Sequence, residues 1–395
     1  MLAVYLISFC TVRKKKLWDF GAWVGQLYAD NTKALFEYVN KEHKDIKCVW
    51  ISRNKNVVKQ VRSLGYRAYY YLSFKGIIYS LHSSCFFATE GAMDYPAFCA
   101  GNAPVIQLWH GMGIKEVGLN SGWQKIWQEK KSKHYLLDKL SLKINKYDIS
   151  YHYKWIWMAA SEEAKKKYAK SFYVPEENFY ITGQPKDDTF VNIKNSEYIN
   201  ELREKHPNTK IAVYLPTHRN FGKSEVISDV MSIETLKKVN QQLAEKNIVM
   251  IFKPHFHEFK KYEGYEGELS NIIFATDKEK FGDVYEFLPC CDILITDYSG
   301  IMFGYLASGK PIVYFTYDYD EYVNGDAGFC YDFNDITYGP VCKTWDEVVE
   351  GVTTIKAEDY AEVREKQRAR FCPFNDGKNC ERVYNRVLEI LNIKD

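Results

Sequence analysis

A chain of 395 residues has room for two domains of ordinary size. Its 46% hydrophobic content can build a substantial core, which excludes a largely disordered protein. A net charge of +2 gives no electrostatic case for nucleic acid, and the absence of an apolar run of about 18 residues predicts no transmembrane helix.

Ten cysteines without a C-x-x-C pair or zinc-finger spacing point to reduced thiols. Residues 2–9 are apolar, and their basic cluster at 13–16 follows them. A signal peptide has the reverse order, so the expectation is a first buried strand. Residues 31–38 look helical, with Asn31 as candidate N-cap. Residues 48–51, 67–72 and 85–88 read as further strands, with a basic helix across 57–64. This alternation predicts an α/β fold with a mostly parallel sheet. Residues 105–108 are another strand, running into Trp109, His110, Gly111 and Lys115. A histidine between a strand end and a glycine-rich loop lies where open α/β sheets place ligands. A histidine that caps a helix or satisfies a turn would read the same.

Residues 122–157 differ in texture: lysines from Lys125 to Lys154 far outnumber Glu129, Asp138 and Asp148, and Trp123, Trp127, Trp155 and Trp157 are interleaved. Basic residues mixed with Trp and Tyr suit the headgroup zone of an anionic membrane. They also suit single-stranded nucleic acid, or a solvated helical face over core aromatics. Residues 186–208 are polar, include Pro207 and read as a linker, giving domains at 1–185 and 209–395.

The strand–helix rhythm then restarts. Strands at 210–215 and 248–252 end near Arg219 and at Lys253 and His255. A third, 293–295, runs into Thr296, Asp297, Ser299 and Gly300, followed by helical spacing, a Gly309 C-cap and Pro311. Free N–H groups at a helix start make this loop a phosphate seat. Arg219, Lys253, His255 and the seat together suit a diphosphate, although a cation at a strand end is commonly just solvated. His255 and His257 would face opposite ways on an extended loop, and H-E-x-x-H is absent, so no metal or other cofactor is expected. Walker A and G-x-G-x-x-G are absent too.

Five segments occur in one order: 107–111 (QLWHG) with Lys115, 214–217 (YLPT) with Arg219, 252–255 (FKPH), 295–299 (ITDYS), and Asp376 and Gly377 with Arg382. Together they resemble the CDP-glycerol glycerophosphotransferase family of teichoic-acid primases and polymerases and related capsule polymerases. Residues 18–21 (WDFG) with Trp23, Gly25, Tyr28, Asp30, Asn31 and Lys33 resemble the start of that family's catalytic region. The resemblance implies a GT-B-like fold, two Rossmann-like domains with parallel sheets facing a central cleft. It implies a peripheral enzyme at the cytoplasmic face of the plasma membrane, in contact with an anionic membrane surface. Such an enzyme moves glycerol phosphate from CDP-glycerol to a hydroxyl of an undecaprenyl-diphosphate-linked or polymer acceptor and releases CMP. By the same resemblance His110 is the base, and His255 binds the diphosphate or assists CMP departure. Arg219, Lys253, Thr296, Asp297, Ser299 and Gly300 hold the donor phosphates, Asp376 and Gly377 lie near the ribose, and Gly111 and Lys115 belong to the acceptor loop. Gly300 stands where a second Ser is common, Gly304 where Asp is common, and Lys186 where Arg is common; residues 324–329 (NGDAGF) replace an Arg-Gly pair. These departures leave CDP-ribitol open as donor. A nucleotide-sugar glycosyltransferase and a non-catalytic membrane scaffold are the other readings.

Overall fold

Two stretches of alternating strand and helix each close into a parallel sheet. The computed structural model describes residues 1–118, 155–172, 174–217, 219, 229–254, 258, 262, 265, 267–277, 281–325 and 329–394. One unit comprises Met1–Gly111, Trp127–Asp188 and Pro373–Asp395, the other Met112–Ile126 and Thr189–Cys372.

The first unit opens with helix α1 (Leu2–Cys10), followed by β1 (Lys14–Phe20), α2 (Asp30–Glu42), β2 (Lys47–Ser52), α3 (Lys55–Ser63) and β3 (Ala68–Tyr70). Helix α4 (Phe74–His82), β4 (Ser83–Ala88) and β5 (Val105–Gln107) follow, then β6 (Trp155–Ala159), α5 (Glu162–Phe172) and β7 (Phe179–Ile181). The seven strands run in the order β3-β2-β1-β4-β5-β6-β7, and every pairing is parallel. Strands such as β4 are buried at every residue, which a parallel sheet covered on both faces requires.

The expected strand at residues 2–9 is instead α1. A short apolar run fits either element, because it lacks the periodicity that separates them. A helix satisfies its backbone internally and needs no sheet partner. Strand β1 lies inside the sheet between β2 and β4, and its three leading lysines are exposed while Leu17–Phe20 are buried.

The second unit contains α6 (Glu197–Lys205), β8 (Lys210–Leu215), α7 (Ile233–Glu245), β9 (Ile248–Phe252), β10 (Ile272–Phe274), β11 (Ile293–Thr296), α8 (Ile301–Tyr305) and β12 (Ile312–Phe315). It continues through α9 (Tyr319–Gly325), α10 (Phe333–Ile336), β13 (Val341–Cys342), α11 (Trp345–Thr354) and α12 (Ala361–Phe371). Its strand order is β10-β9-β8-β11-β12-β13, again all parallel. The order reverses between β8 and β11, as it does between β1 and β4. Such switch points are where doubly wound sheets bind ligands, at the carboxyl ends of the strands. Local signals set the helices. Ser232 caps α7 through Thr235 N, and Leu236, Val239 and Leu243 form its buried stripe. Thr344 and Glu347 form a capping box on α11.

The last helix, α13 (Asn379–Ile390), does not stay with the second unit, where residues 209–395 were expected to lie. Its stripe of Cys380, Val383, Tyr384, Val387 and Leu388 completes the core around Trp18, Phe36 and Phe87 in the first unit. Tyr384 stacks on His43 with ring centroids 3.6 Å apart. The expected linker at 186–208 is also structured. Lys186, Asp187 and Asp188 are buried, and α6 lies within the span.

The basic-aromatic segment falls mostly outside the described residues, as does His255. Trp155 and Trp157 of that segment are buried in β6. Among the described residues, no helix is long and apolar enough to cross a membrane.

Candidate active site

In the first unit, β5 delivers His110 to the carboxyl edge of the sheet. Trp109 takes a left-handed backbone with φ 54°, and Gly111 has φ 112°, so the chain turns sharply on either side of the histidine. The Asn31 side chain donates to Trp109 O at 2.7 Å and also to Gln184 Oε1. Asn31 Oδ1 accepts from Lys186 N at 3.1 Å. Lys186 Nζ donates to His110 O at 2.6 Å and pairs with Asp30 at 2.9 Å, with both side chains 8% exposed. Tyr168 donates its hydroxyl to Gly111 O at 2.7 Å. The start of α2 and the turn at 183–188 thus hold the histidine loop by its carbonyls.

The imidazole itself lies against Trp109, 4.2 Å between centroids, and Trp23, 5.3 Å. Trp23, Val24 and Asp30 also have positive φ. Val24 is β-branched, so this conformation is strained, and such strain gathers at functional sites. Burial lowers the His110 pKa to about 4; Lys186 adds to the effect, while Asp30 and a backbone hydrogen bond with Thr89 oppose it. The ring is therefore neutral at pH 7. Among the described residues its Nδ1 is buried without a hydrogen-bond partner.

Nearby, burial first, then Asp188 and Asp30, push the Asp187 carboxyl up to about 7 against the pull of Lys186. Asp188 accepts from Asn379 N and Cys380 N, each at 2.8 Å, and so caps α13. Asp376 and Gly377, expected beside the donor ribose in the second domain, lie in the first unit just before that helix. Asp376 is paired with Arg382, whose guanidinium lies 3.9 Å from the Phe374 ring centroid.

In the second unit the loops after β8 and β11 are tied together by a buried charge cluster. Asp297 is fully buried and accepts from Thr217 N at 3.0 Å, Thr217 Oγ1 at 2.5 Å and Tyr298 N at 2.6 Å. It pairs with Arg219 Nη2 at 2.8 Å. Arg219 Nε donates to Asp318 Oδ2 at 2.6 Å, and Nη1 donates to Thr217 O at 2.5 Å. Tyr322, Tyr298 and Tyr317 rings surround the guanidinium at 4.9, 5.3 and 5.6 Å. Burial works against the Arg219 charge, and Asp297 and Asp318 more than offset it, so its pKa is raised. Arg219 was expected to hold the donor phosphates. Here it is 5% exposed and already engaged by two carboxylates, so it shapes the loops. Thr296 is likewise buried, donating to Leu215 O at 2.7 Å.

The partly exposed residues of the expected seat are Ser299 and Gly300, at the start of α8. Gly300 has no room for a side chain: an ideal Cβ would stand 2.4 Å from Met112 O. The segment after Gly111 accounts for this, because it packs within the second unit. Lys115 bridges to Phe329 in antiparallel fashion, Cys330 N donates to Ile114 O at 2.8 Å, and Lys115 Nζ sits 4.6 Å from the Tyr322 ring. Lys253, after β9, donates to Phe281 O, and burial lowers its pKa against the opposing pull of Asp283. Sequence reasoning put Asp30 and Asn31 in the resembling catalytic region without giving them a role, and it did not place Lys186 or Asp318 in the site.

The sequence model of a family described as CDP-Glycerol:Poly(glycerophosphate) glycerophosphotransferase matches residues 3–389. The teichoic acid glycerol-phosphate transferase of Staphylococcus aureus is 22% identical over 95% of this chain and 93% of its own length. The teichoic acid poly(ribitol-phosphate) polymerase of Bacillus spizizenii is 28% identical over 74% of this chain, which spans only 44% of that longer protein. Among solved structures, the wall teichoic acid polymerase TagF soaked with CDPG superposes with a TM-score of 0.77 at 21% identity, over 99% of this chain and 93% of that one.

Proposed function

Because the chain belongs to the CDP-glycerol:poly(glycerophosphate) glycerophosphotransferase family, we propose that it transfers glycerol phosphate from CDP-glycerol to a hydroxyl of a lipid-linked or polymer acceptor. The acceptor oxygen attacks the phosphorus that carries the polyol, the bond from that phosphorus to the CMP oxygen breaks, and CMP leaves. His110 takes the hydroxyl proton. The observation that carries the reading is the buried His110 imidazole at the edge of a parallel sheet, kept neutral by burial, with its loop held through Lys186. A neutral imidazole is ready to accept a proton. In the second unit Lys253 and the backbone N–H groups at Ser299 and Gly300 take the donor phosphates, and the Arg219 cluster fixes their loop. No metal is needed in this scheme, so chelation leaves the rate unchanged.

The enzyme works at the cytoplasmic face of the membrane, where nucleotide-activated donors are present. Residues 122–154, the part of the segment before β6, carry the composition for such a surface. The likeness to both glycerol- and ribitol-phosphate enzymes supports CDP-ribitol as the second reading. Incubation with each CDP-polyol and a lipid-linked disaccharide, following CMP, tests both. CMP release with CDP-glycerol supports the proposal; release with CDP-ribitol alone changes the donor. Nucleoside diphosphate release from a sugar donor would make the protein a glycosyltransferase.

A further inference from the structure

The loops after β1 and β4 both reach His110. Trp23 lies 5.3 Å from its ring, and a backbone group of Thr89 is hydrogen-bonded with it. The loop after β1 is strained. Trp23, Val24 and Gly25 have φ of 49°, 57° and 71°, three successive left-handed residues of which only the glycine takes the conformation without cost. Such a turn persists only where its surroundings over-determine it. On one side Gly25 O accepts from Arg53 N at 2.8 Å and Ser52 Oγ at 2.7 Å. On the other, Val24 N donates to Asp94 Oδ1 at 2.6 Å. Asp94 is 2% exposed, and its Oδ2 accepts from Thr89 N at 2.7 Å, Glu90 N at 2.7 Å and Gly91 N at 3.2 Å. One carboxylate thus joins the strained turn to the loop after β4. Burial pushes this carboxyl up, and the four N–H groups oppose that because they favour the ionised form. Gly21 permits the approach, since a Cβ there would stand 1.9 Å from Asp94 O.

We propose that Asp94 is a positioning residue of the transfer site, holding the Trp23 turn so that the indole lies against the His110 ring. The indole is then part of what keeps water from the imidazole, and so part of what keeps it neutral. The charged groups that act on the ring itself are Asp30 and Lys186, so Asp94 reaches it through the turn. The consequence for rate rests on His110 being the base; the positioning does not. Asparagine separates the two halves of the arrangement. Its carbonyl oxygen can stay on the three donors of residues 89–91, which leaves its NH2 facing Val24 N–H, donor against donor. Asp94→Asn therefore keeps the loop after β4 and releases the strained turn.

The test is an NMR titration of the His110 ring in the full, histidine-labelled chain without donor or acceptor, the resonance being assigned by its loss in His110→Ala. Asp94→Asn is expected to raise the proton affinity of His110 at least about ten-fold, a pKa unit toward the ordinary value, and Trp23→Ala to do the same. The sign decides between causes, because losing a negative charge that acted directly would lower the affinity. The double variant should shift no further than Trp23→Ala alone, since both act through one contact. An unchanged or lowered midpoint in either single variant, or additive shifts in the double, overturns the proposal. If Asp94→Asn does not fold, Trp23→Ala decides alone by the same criterion. In the CMP assay Asp94→Asn is expected to lower kcat at least about ten-fold with donor KM kept, and an unchanged kcat overturns the role in transfer. A wild type that releases no CMP counts against His110 as base, while the titration still decides the positioning.

Discussion

Replacing Gly300 with serine would restore the residue common in the resembling family, yet it should damage this chain. An ideal Cβ at position 300 falls 2.4 Å from Met112 O, whereas ordinary van der Waals contact begins at 3.4 Å. Full relief therefore needs the two backbones to separate by about 1 Å. No rotamer relieves the clash, because the partner is a carbonyl. Met112 leads into the segment bonded to Phe329 and Cys330, so the strain passes into those contacts. Overpacking of this kind costs about 1–3 kcal/mol, or about 2–12 °C in Tm for a unit of this size. Urea denaturation of Gly300→Ser and Gly300→Ala against wild type measures the cost. Donor affinity should fall as well, since the displaced loop carries Ser299. If both variants are as stable as wild type and bind CDP-glycerol equally, the close approach to Met112 is not a constraint and the reasoning fails.

Removing the imidazole in His110→Ala should lower CMP release by about 10²–10⁴-fold with donor affinity largely kept; lost donor binding would contradict its role as base. The free-enzyme pKa of about 4 should also set the acid limb of kcat/KM well below the ordinary histidine value of 6.5. A limb near 6.5 that His110→Ala abolishes would refute that. The same depression affects stability. Below pH 6.5 the unfolded chain takes a proton that folded His110 refuses, so its contribution is complete above that pH and is lost as pH falls toward 4. Between pH 7 and pH 5 wild type should lose about 2 kcal/mol more unfolding free energy than His110→Asn, and parallel losses would discard the shift. Finally, Arg219→Met leaves Asp297 and Asp318 buried without their cation and should cost about 3–5 kcal/mol. A cost under about 1 kcal/mol would show that the cluster is not structural.

Where the sequence could be read correctly, the signals were short in range. The passage from β11 through the loop and α8 to β12 is marked by an apolar run, cap residues and Pro311, all within 20 residues of one another. Gly309 indeed ends the helical turn in a left-handed conformation, φ 67°. The position of His110 beyond a strand was equally readable. What escaped were partners distant in sequence. Arg219 lies at a strand end as read, but nothing local shows that Asp318 waits for it. Lys186 looked like a variant linker residue until Asp30 and the His110 carbonyl closed around it. Helix α13 shows an apolar stripe, which says that it buries one face without saying against which sheet. Helix α1 failed for another reason: its apolar run carries no period at all.

The return of α13 to the first unit has a consequence for synthesis. Trp18, Phe36 and Phe87 leave the ribosome well before Val383, Tyr384 and Val387, which belong to the same core. Those residues follow Asp188, where the first unit otherwise ends, by nearly the whole second unit. At about 5–20 residues per second, roughly 200 residues of delay is about 10–40 s. During that time the opening sheet stands with one patch of its core uncovered, while the second unit can already close around its own. Of the two units, the one begun earlier is completed later, and holding chaperones have their longest opportunity there.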